Sequence, residues 1–361
     1  PFIESELKSP VSLMKRFTFL RDMKIIAPWK TLRVHADEIL KDQRLRYIMD
    51  RYATYSGSDP RKAPAVLSSI AFVEEAFGAW HIKGGVGRLA DAVYQRSLDR
   101  GVKFEFNTSV ASINHDGKAT TGISLTDGRV LDYSIVVANA DASAVYNKLI
   151  TGKVKKLRRE RAKLAKADPS LAGFSLLLGL RPSENPTGLS HHNIFFPENY
   201  DAEFDSIFGI GKKVSPVADP TIYICSPNDS KMVPEGNESW FMLINAPRHD
   251  PTNGVDWSNP ELKASYTEQI LSALSSRGFS TSDRKLWQRT IAPDELERNT
   301  LAPGGSIYGT SSNGMRSAFL RPENVTKIPN LYLVGGSSHP GGGLPLVGMS
   351  AEIVASRIGR A

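Results

Sequence analysis

The sequence predicts a mixed α/β (α+β) protein whose principal sheet is assembled from separated parts of the chain. The first observation is the stretch from Asn330 to Arg360, where a short apolar run, a glycine-rich turn and a helical pattern follow one another. The second is that residues 79–148 have a related character, with a glycine turn, a helical pattern, hairpin signals and a continuous apolar strand. The residues between these two parts differ in pattern and predict a second domain.

Composition places the chain among ordinary globular proteins. Of its 361 residues, 40% are apolar and 23% are charged, which is enough apolar material for real cores. The single cysteine, Cys225, excludes an intrachain disulfide and a cysteine-based metal cluster, and favours a reducing compartment. No apolar run approaches about 18 residues and nothing at the start resembles a signal peptide. We therefore expect a soluble or membrane-peripheral protein of the cytoplasm.

The first half of the chain contains a helical part and a sheet part. Residues 1–78 carry apolar side chains at three- and four-residue spacing, which predicts helices. Residues 79–148 open with a glycine turn and a helix, and residues 102–113 then alternate at period two like a strand. Asp-Gly pairs at 116–117 and 127–128 predict hairpins, and residues 135–137 predict a continuous apolar strand that leads into a helix.

The second half returns to the first pattern only at its end. Residues 149–325 read as a separate domain with a basic helix, three strands (FSLLLGL, TIYICS and WFMLINAP) and one long helix. The segments HHNIFFPENY and APGGSIYGTSSNG read as loops. Residues 326–361 give a strand at 331–334, a glycine turn and a helix after Pro345. The domains therefore alternate along the chain, with boundaries after residues 78, 148 and 325.

One segment holds the excess positive charge. The chain carries a net charge of +7, and residues 153–166 (KVKKLRRERAKLAK) hold eight basic residues against the single acid Glu160. This pattern predicts a basic amphipathic helix that contacts an anionic membrane, with a solvated helix face as the alternative. The absence of interleaved aromatic residues argues against nucleic acid. The basic residues assigned to membrane contact are Lys155, Lys156, Arg158 and Arg159.

The residues suggest no metal centre, and composition alone leaves a Ser-His-Asp triad open. His191 and His192 are neighbours, and neighbours on a strand point to opposite faces, so we expect no shared metal ion. A serine nucleophile elbow of the GxSxG type is absent from the sequence.

Three segments together resemble the bacterial phytoene desaturases of carotenoid biosynthesis, which are flavoproteins of the wider amine-oxidase-like group. They are GAWHIKGGVGRLADAVYQRSLDRGVKFEFNTSVASI, IVVANAD and LVGGSSHPGGGLPLVGMSAEIVA. The resemblance covers nearly the whole chain in the expected order. It implies a Rossmann-like FAD domain, formed by residues 79–148 and 326–361, interleaved with a substrate or membrane domain formed by residues 1–78 and 149–325. It also implies desaturation of a long isoprenoid such as phytoene.

The resemblance assigns roles to individual positions. Val110 corresponds to the strand residue whose backbone meets the adenine, and Gly84 and Gly85 would lie near the flavin and the substrate channel. Gly335 and Gly336 correspond to a turn near the phosphates. The helix start beside the pyrophosphate and flavin corresponds to Gly343, Pro345, Leu346, Val347 and Gly348.

The chain departs from the family at its beginning. The family opens with a strand, a GxGxxG turn and a ribose-binding acid, and residues 1–50 show none of these. We expect that this FAD-binding part has been removed or is supplied by a second polypeptide, and we favour removal. The chain as given is expected to bind FAD poorly or not at all.

The chemistry leaves alternatives open. Removing hydride from a hydrocarbon needs a redox cofactor, and the accompanying proton needs an acceptor, for which His339 is the candidate; a structural turn residue is its other interpretation. Within the family, the reaction could instead be oxygenation, ketolation or isomerisation of a carotenoid. A non-catalytic prenyl-lipid escort protein of the same fold is a further alternative. An amine oxidase is the weakest, and only the aromatic residues 191–200 suggest its cage.

Overall fold

The computed structural model describes residues 4, 19–152, 154–183, 188–234, 236–314, 317 and 321–359. They divide into two compact units. The first unit comprises the described parts of residues 1–72, 108–172 and 296–361, and the second comprises those of residues 73–107 and 173–295. The sequence-based boundaries likewise alternate along the chain, but they fall elsewhere: the structure joins residues 19–72 to the first unit and residues 79–107 to the second. Which unit serves the cofactor and which the substrate stays a prediction.

Three helices of the first unit begin where a polar side chain binds a free backbone N–H group. Thr31 Oγ1 accepts from the Val34 N–H at 3.2 Å, and Asp42 Oδ1 accepts from the Arg44 N–H at 2.8 Å. Asp141 Oδ1 accepts from the Ser143 N–H at 2.8 Å at the start of the short helix Ala142–Ala144, which confirms the helix start expected there. The helices up to this point are α1 (Phe19–Ile26), α2 (Leu32–Ile39), α3 (Gln43–Arg51), α4 (Ser68–Phe77), α5 (Gly87–Asp99, in the second unit) and α6 (Ala142–Ala144).

Two hairpins form the antiparallel sheet of the first unit, as the Asp-Gly pairs predicted. Asp116 Oδ1 accepts from the N–H groups of Lys118 and Ala119, each at 2.8 Å, and the second turn is closed by a bond from the Leu125 N–H to the Arg129 carbonyl. The strands pair in the order β1–β2–β3. They are β1 (Val110–His115), β2 (Thr120–Leu125) and β3 (Val130–Asp132).

A second, very small sheet carries the glycine tract. Strand β4 (Val136–Ala138) pairs in parallel with Leu331–Leu333, with Tyr332 opposite Val137. Leu331 and Leu333 are buried, whereas Val137 is 45% exposed. Parallel sheets are normally larger and covered on both faces, so a pair of three-residue strands is unusual.

The second unit is built on a five-stranded sheet with strand order β6–β7–β8–β5–β9. Eight of the nine residues of β5 are buried. The core is aromatic, with Phe174 packed against Trp257 and Tyr266. The strands are β5 (Ala172–Leu180), β6 (His192–Phe195), β7 (Ile222–Cys225), β8 (Glu238–Ala246) and β9 (Lys285–Ile291).

The remaining helices lie along the second half of the chain. Residues 155–157 form a 3₁₀ turn that leads directly into α7, so the predicted basic helix is confirmed from residue 155 onward, while residue 153 lies outside the described residues. The glycine-rich segment after residue 301 is a loop with one 3₁₀ turn, as expected. The helices are α7 (Arg158–Lys166), α8 (Asp201–Phe208), α9 (Pro260–Ser275), α10 (Pro293–Thr300) and α11 (Leu344–Ile358), and strand β10 is Leu331–Leu333.

Two predictions of local structure were wrong. Residues 102–107 alternate like a strand but form none, and Phe104 and Phe106 remain 40% and 67% exposed, because no described strand pairs with them. The segment HHNIFFPENY is not simply a loop, since His192–Phe195 form the edge strand β6. Among the described residues, no helix has the length and apolarity required to cross a bilayer.

Candidate functional site

The glycine tract of the first unit joins β10 to α11, and its first half is fixed by the protein's own packing. Gly335 has a φ of +97°, and a Cβ built there would lie 2.1 Å from Asn139 Oδ1. A Cβ at Gly336 would approach Gly342 Cα at 3.3 Å. The packing of the chain itself therefore favours glycine at both positions. Their location near the phosphates stays a prediction.

The second half of the tract is open. A Cβ built at Gly343 or at Gly348 meets no atom within 4 Å, and the helix start at Leu344 and Pro345 is exposed. The first-turn N–H groups of a helix lack partners within the helix and carry its positive dipole end. A helix start without side-chain bulk suits a phosphate or an electron-rich ring, so the residues present fit one wall of a dinucleotide site. Leu346 and Val347 are half-buried behind it.

A buried arginine holds the tract in place. One terminal nitrogen of Arg321 donates to the Gly336 carbonyl at 2.7 Å and to the Tyr308 carbonyl at 3.1 Å, and the other donates to the Thr310 carbonyl at 3.0 Å. Burial lowers the pKa of Arg321 to about 10, against which the charge of Asp141 acts. The guanidinium thus links the loop before β10 to the glycine tract.

A polar pair fastens the same tract to α11. Asn324 Nδ2 donates to the His339 carbonyl at 2.8 Å and contacts Ser350 Oγ at 2.9 Å, and the Gly335 N–H donates to Ser350 Oγ at 3.2 Å. His339 is 1% exposed, and its own N–H donates to the Pro322 carbonyl at 2.9 Å. These contacts favour the structural interpretation of His339 over the proton acceptor.

The predicted adenine residue lies on the antiparallel sheet of the first unit. Val110 begins β1 opposite Leu125 and is 36% exposed. Its backbone is therefore at the start of a strand, as the resemblance implied, and its contact with adenine stays a prediction.

The predicted channel glycines lie in the second unit beside an ordered carboxylate. Asp229 Oδ2 accepts from the Gly84 N–H at 2.6 Å and contacts His81 Nε2 at 2.8 Å, and Asp229 Oδ1 accepts from the Lys231 N–H at 2.9 Å. The Gly84 N–H, followed by His81, lowers the pKa of Asp229 to about 2. Gly85 has a φ of +89°, and its Cβ position lies 3.3 Å from Met232 Cε. The carboxylate thus fixes the glycine turn and orients an imidazole next to it.

The two neighbouring histidines do not diverge as predicted. His191 lies in a bend just before β6, so its ring reaches the ring of His192 at a centroid distance of 4.5 Å. His192 stands opposite Cys225 in the β6–β7 register. One ligand atom from each of these three side chains lies within 4.8 Å of the others. We call His191, His192 and Cys225 the histidine–cysteine cluster.

Sequence reasoning missed this cluster because its contacts run between strands. The pairing of β6 with β7 joins residues 31 positions apart, as in the bond between His192 Nδ1 and Tyr223 Oη at 2.8 Å. Local periodicity does not report such a register. The available signal was the occurrence of the three ligand-type residues at the ends of two strand-like segments.

The basic segment presents its predicted membrane residues to solvent. Lys155, Lys156, Arg158 and Arg159 are all exposed, while Leu157 between them is fully buried. The next basic residue serves the fold instead, because Arg161 donates to the carbonyls of Tyr146 and Ile150 at 2.8 and 3.0 Å. The segment is thus anchored on one side and charged on the other.

Several large apolar side chains of the second unit are exposed between residues 73 and 106. Where such side chains form a contiguous patch, they mark a surface that contacts another molecule or segment. The most exposed are Phe77 (70%), Trp80 (88%), Val86 (61%), Val93 (58%) and Phe106 (67%).

Comparison with known proteins gives a consistent result. The family model described as flavin containing amine oxidoreductase matches residues 4–359. The chain is 36% identical over 323 residues to a 1-hydroxycarotenoid 3,4-desaturase of a Flavobacterium species, a match that covers 87% of this chain and 62% of the relative. It is 31% identical over 335 residues to a zeta-carotene-forming phytoene desaturase of Myxococcus xanthus, covering 90% and 62%. The chain therefore spans less than two thirds of the length of these relatives.

Solved structures confirm the expected fold class. An oxidoreductase from Methanosarcina mazei gives a TM-score of 0.58 at 16% identity, covering 98% of this chain and 74% of that one. A redesigned putrescine oxidase gives 0.57 at 9% identity, covering 96% and 70%. Identities this low bear on the fold alone. The sequence matches confirm the resemblance to carotenoid desaturases of the amine-oxidase-like group.

Proposed function

This chain belongs to the family of flavin-containing amine oxidoreductases, and from that premise we propose that it carries out FAD-dependent desaturation of a long-chain carotenoid precursor. The observation that carries the proposal is its similarity to two carotenoid desaturases, at 36% and 31% identity over 87% and 90% of the chain. The chain spans 62% of the length of each of these relatives. The activity of the whole relatives is therefore a proposal for this chain.

The proposed reaction removes two hydrogens from adjacent carbons and leaves a double bond. Bound FAD would accept one hydrogen with its electron pair, a transfer that no amino-acid side chain can perform. The protein supplies the position of the polyene, an apolar enclosure that excludes water and an acceptor for the remaining proton.

The glycine tract would hold the cofactor. Gly343 and Gly348 leave open space at an exposed helix start, and this is the support for placing pyrophosphate and flavin there, beside Pro345, Leu346 and Val347. Val110 would meet the adenine through its backbone. In this proposal Gly335 and Gly336 contribute by letting the chain turn tightly before the helix.

The glycine turn of the second unit would contact the polyene. Gly84 and Gly85 remove side-chain bulk from a turn whose position is fixed by Asp229. His81, held by the same carboxylate at 2.8 Å, is a polar group beside these glycines that could take up a proton. The apolar residues exposed along 73–106 are chemically suited to a hydrocarbon or to a further protein segment.

We further propose that a segment with the missing strand and GxGxxG turn completes the flavin site. The support is the parallel pair β4–β10, which is too small to be a complete parallel sheet, with Val137 45% exposed. Addition of a strand to this pair would enlarge the sheet and cover its exposed side chain.

Membrane contact is part of the same proposal. A long polyene dissolves in the bilayer, so an enzyme acting on it gains access by docking at the surface. The four exposed basic residues 155, 156, 158 and 159 would each contribute about 1 kcal/mol near anionic lipid. This makes the protein a peripheral one.

A second reaction deserves a separate test because some relatives carry another name. The chain is 28% identical over 353 residues to a 4,4'-diapolycopene oxygenase of a Methylomonas species, covering 96% of this chain and 68% of that protein. Desaturation and oxygenation differ in mass, since the first removes two hydrogens and the second adds oxygen.

The protein is purified from the cells that naturally produce it and is incubated in liposomes with carotenoid precursors of different saturation. Products are analysed by mass spectrometry. A product lighter by two hydrogens supports desaturation. A product that has gained oxygen would contradict desaturation and support oxygenation. Retention of unchanged precursor by a protein free of flavin would instead identify an escort protein. The 361-residue chain expressed alone is the control, and stoichiometric FAD in it would contradict the need for a completing segment.

A further inference from the structure

A group of metal-ligating side chains lies at the edge of the five-stranded sheet, and nothing in the flavin chemistry uses it. It is the histidine–cysteine cluster, whose three ligand atoms lie within 4.8 Å of one another. We propose that His191, His192 and Cys225 bind one divalent first-row transition-metal ion of the Zn²⁺ type.

The backbone brings these residues together by strand pairing. His192 and Cys225 are directly opposite on antiparallel strands, so their side chains leave the same face of the sheet. The Ser226 N–H donates to the His191 carbonyl at 2.9 Å, which fixes the bend one residue before that pair. The third ligand is thus positioned by the end of the ladder.

The donor set suits this class of ion. Imidazole nitrogen and thiolate sulfur are the ligands that Zn²⁺ prefers, at about 2.0–2.1 Å and about 2.3 Å. In a tetrahedral site with these bond lengths, the ligand atoms are roughly 3.3–3.8 Å apart. The ligand atoms of the cluster lie within 4.8 Å of one another, so small side-chain rotations would bring them to that separation. Three protein ligands leave the fourth coordination position of the ion open. Because His192 is exposed, water can reach that position.

A second polar contact orients one of the imidazoles. Tyr223, two residues before Cys225 on the same face of β7, has its hydroxyl 2.8 Å from His192 Nδ1. This hydrogen bond fixes the orientation of the His192 ring. Outer hydrogen bonds of this kind are a regular feature of metal-binding histidines.

A third imidazole borders the cluster. The ring of His81, held by Asp229, packs edge-on against His191 at 4.8 Å and supports that side of the cluster.

The cluster is tested by metal titration of protein that carries no affinity tag. Zn²⁺ binding is followed by calorimetry, and Co²⁺ serves as a spectroscopic probe because thiolate ligation gives a charge-transfer band in the near ultraviolet. We expect one Zn²⁺ per chain and a Co²⁺ spectrum with that band. Cys225→Ser should abolish the band, and His192→Ala should weaken Zn²⁺ binding roughly tenfold or more.

The control is His35→Ala, which removes a half-buried histidine outside the cluster and should leave both signals unchanged. Circular dichroism establishes that each variant is folded before it is titrated. Because Cys225 is the only cysteine, the charge-transfer band has a single source. The absence of saturable binding, a Co²⁺ spectrum without the band, or wild-type affinity in both cluster variants would overturn the proposal.

Discussion

The carboxylate of Asp229 accepts a hydrogen bond of 2.6 Å from the backbone N–H of Gly84, 145 residues earlier in the chain. The same oxygen contacts His81 Nε2 at 2.8 Å. This carboxylate is 4% exposed, so the glycine turn, the imidazole and the loop after β7 are held by one group. Stability and the geometry of the proposed substrate turn are therefore linked through Asp229.

We expect Asp229→Asn to destabilise the second unit in a pH-dependent way. The folded-state pKa of about 2 lies below the usual value of about 3.9, so the ionised carboxylate stabilises the fold at neutral pH. That contribution is lost as the pH falls from about 4 toward about 2. Urea unfolding should show a lower midpoint for the variant at neutral pH and a difference that narrows below about pH 4.

The matched control for this change is Asp219→Asn, whose carboxylate is 54% exposed and pairs with Arg277 at 2.9 Å. Exposed pairs contribute little, so this variant should unfold almost as the wild type does. A difference for Asp229→Asn that is the same at every pH would show that its charge is not what holds the turn.

Gly348→Leu should separate cofactor binding from stability. The position is inside α11 and a Cβ there meets nothing within 4 Å, so the larger side chain fits the fold. Replacing a helical glycine should stabilise the helix by about 0.8 kcal/mol. Because the side chain would fill the proposed flavin space, FAD content measured by absorbance should fall while the melting temperature stays equal or rises.

A companion variant tests the helix start itself. Gly343→Val should also block FAD incorporation, but at a φ of +97° it adds backbone strain. Gly278→Val carries similar strain at a φ of +91°, also in open space, in the second unit, and serves as its control. Normal flavin content in both the Gly343 and Gly348 variants would remove the cofactor assignment from α11.

Arg321→Met should loosen the glycine tract. The change removes charge-assisted hydrogen bonds to three backbone carbonyls in a buried site, for a loss of roughly 2–4 kcal/mol in the free energy of unfolding. Lys327→Met, at an exposed neighbouring position, should change it by less than about 0.5 kcal/mol. Hydrogen exchange should quicken in residues 335–343, and unchanged protection there would show that Arg321 does not hold the tract.

Reversing the charge of the four exposed basic residues should weaken membrane binding. The variant carries glutamate at Lys155, Lys156, Arg158 and Arg159, and we expect reduced sedimentation with anionic liposomes and no change with neutral ones. The effect should diminish as salt is added.

The control for membrane binding makes the same change in net charge elsewhere. It places glutamate at the exposed residues Lys103, Lys212, Lys213 and Lys285 of the second unit. Equal loss of binding in the two variants would mean that net charge, and not the basic segment, drives the association.

The parts of the fold that sequence predicted well are those set by local chemistry. The Asp-Gly hairpins, the strand predicted at 331–334 and the helix predicted after Pro345 depend on neighbours within a few residues. Each was found, the strand at Leu331–Leu333 and the helix at Leu344–Ile358. Non-local pairing produced the errors: residues 102–107 have a strand pattern but form no strand, and β6 was read as a loop.

The candidate site divides in the same way. The open glycines of α11 follow from the local pattern, whereas the bond between Gly84 and Asp229 and the histidine–cysteine cluster depend on sequence-distant contacts. His339, the candidate proton acceptor, is 1% exposed, and its role stays a prediction.

The most direct test of FAD-dependent desaturation is an absorption spectrum of the protein purified from the cells that naturally produce it. The spectrum is recorded under anaerobic conditions before and after a carotenoid precursor is added. We predict that the flavin bands lose intensity as the precursor is oxidised, and that the polyene band moves to longer wavelength as conjugation lengthens. A protein without flavin bands, or flavin bands that stay unchanged while every precursor tested remains intact, would contradict this prediction.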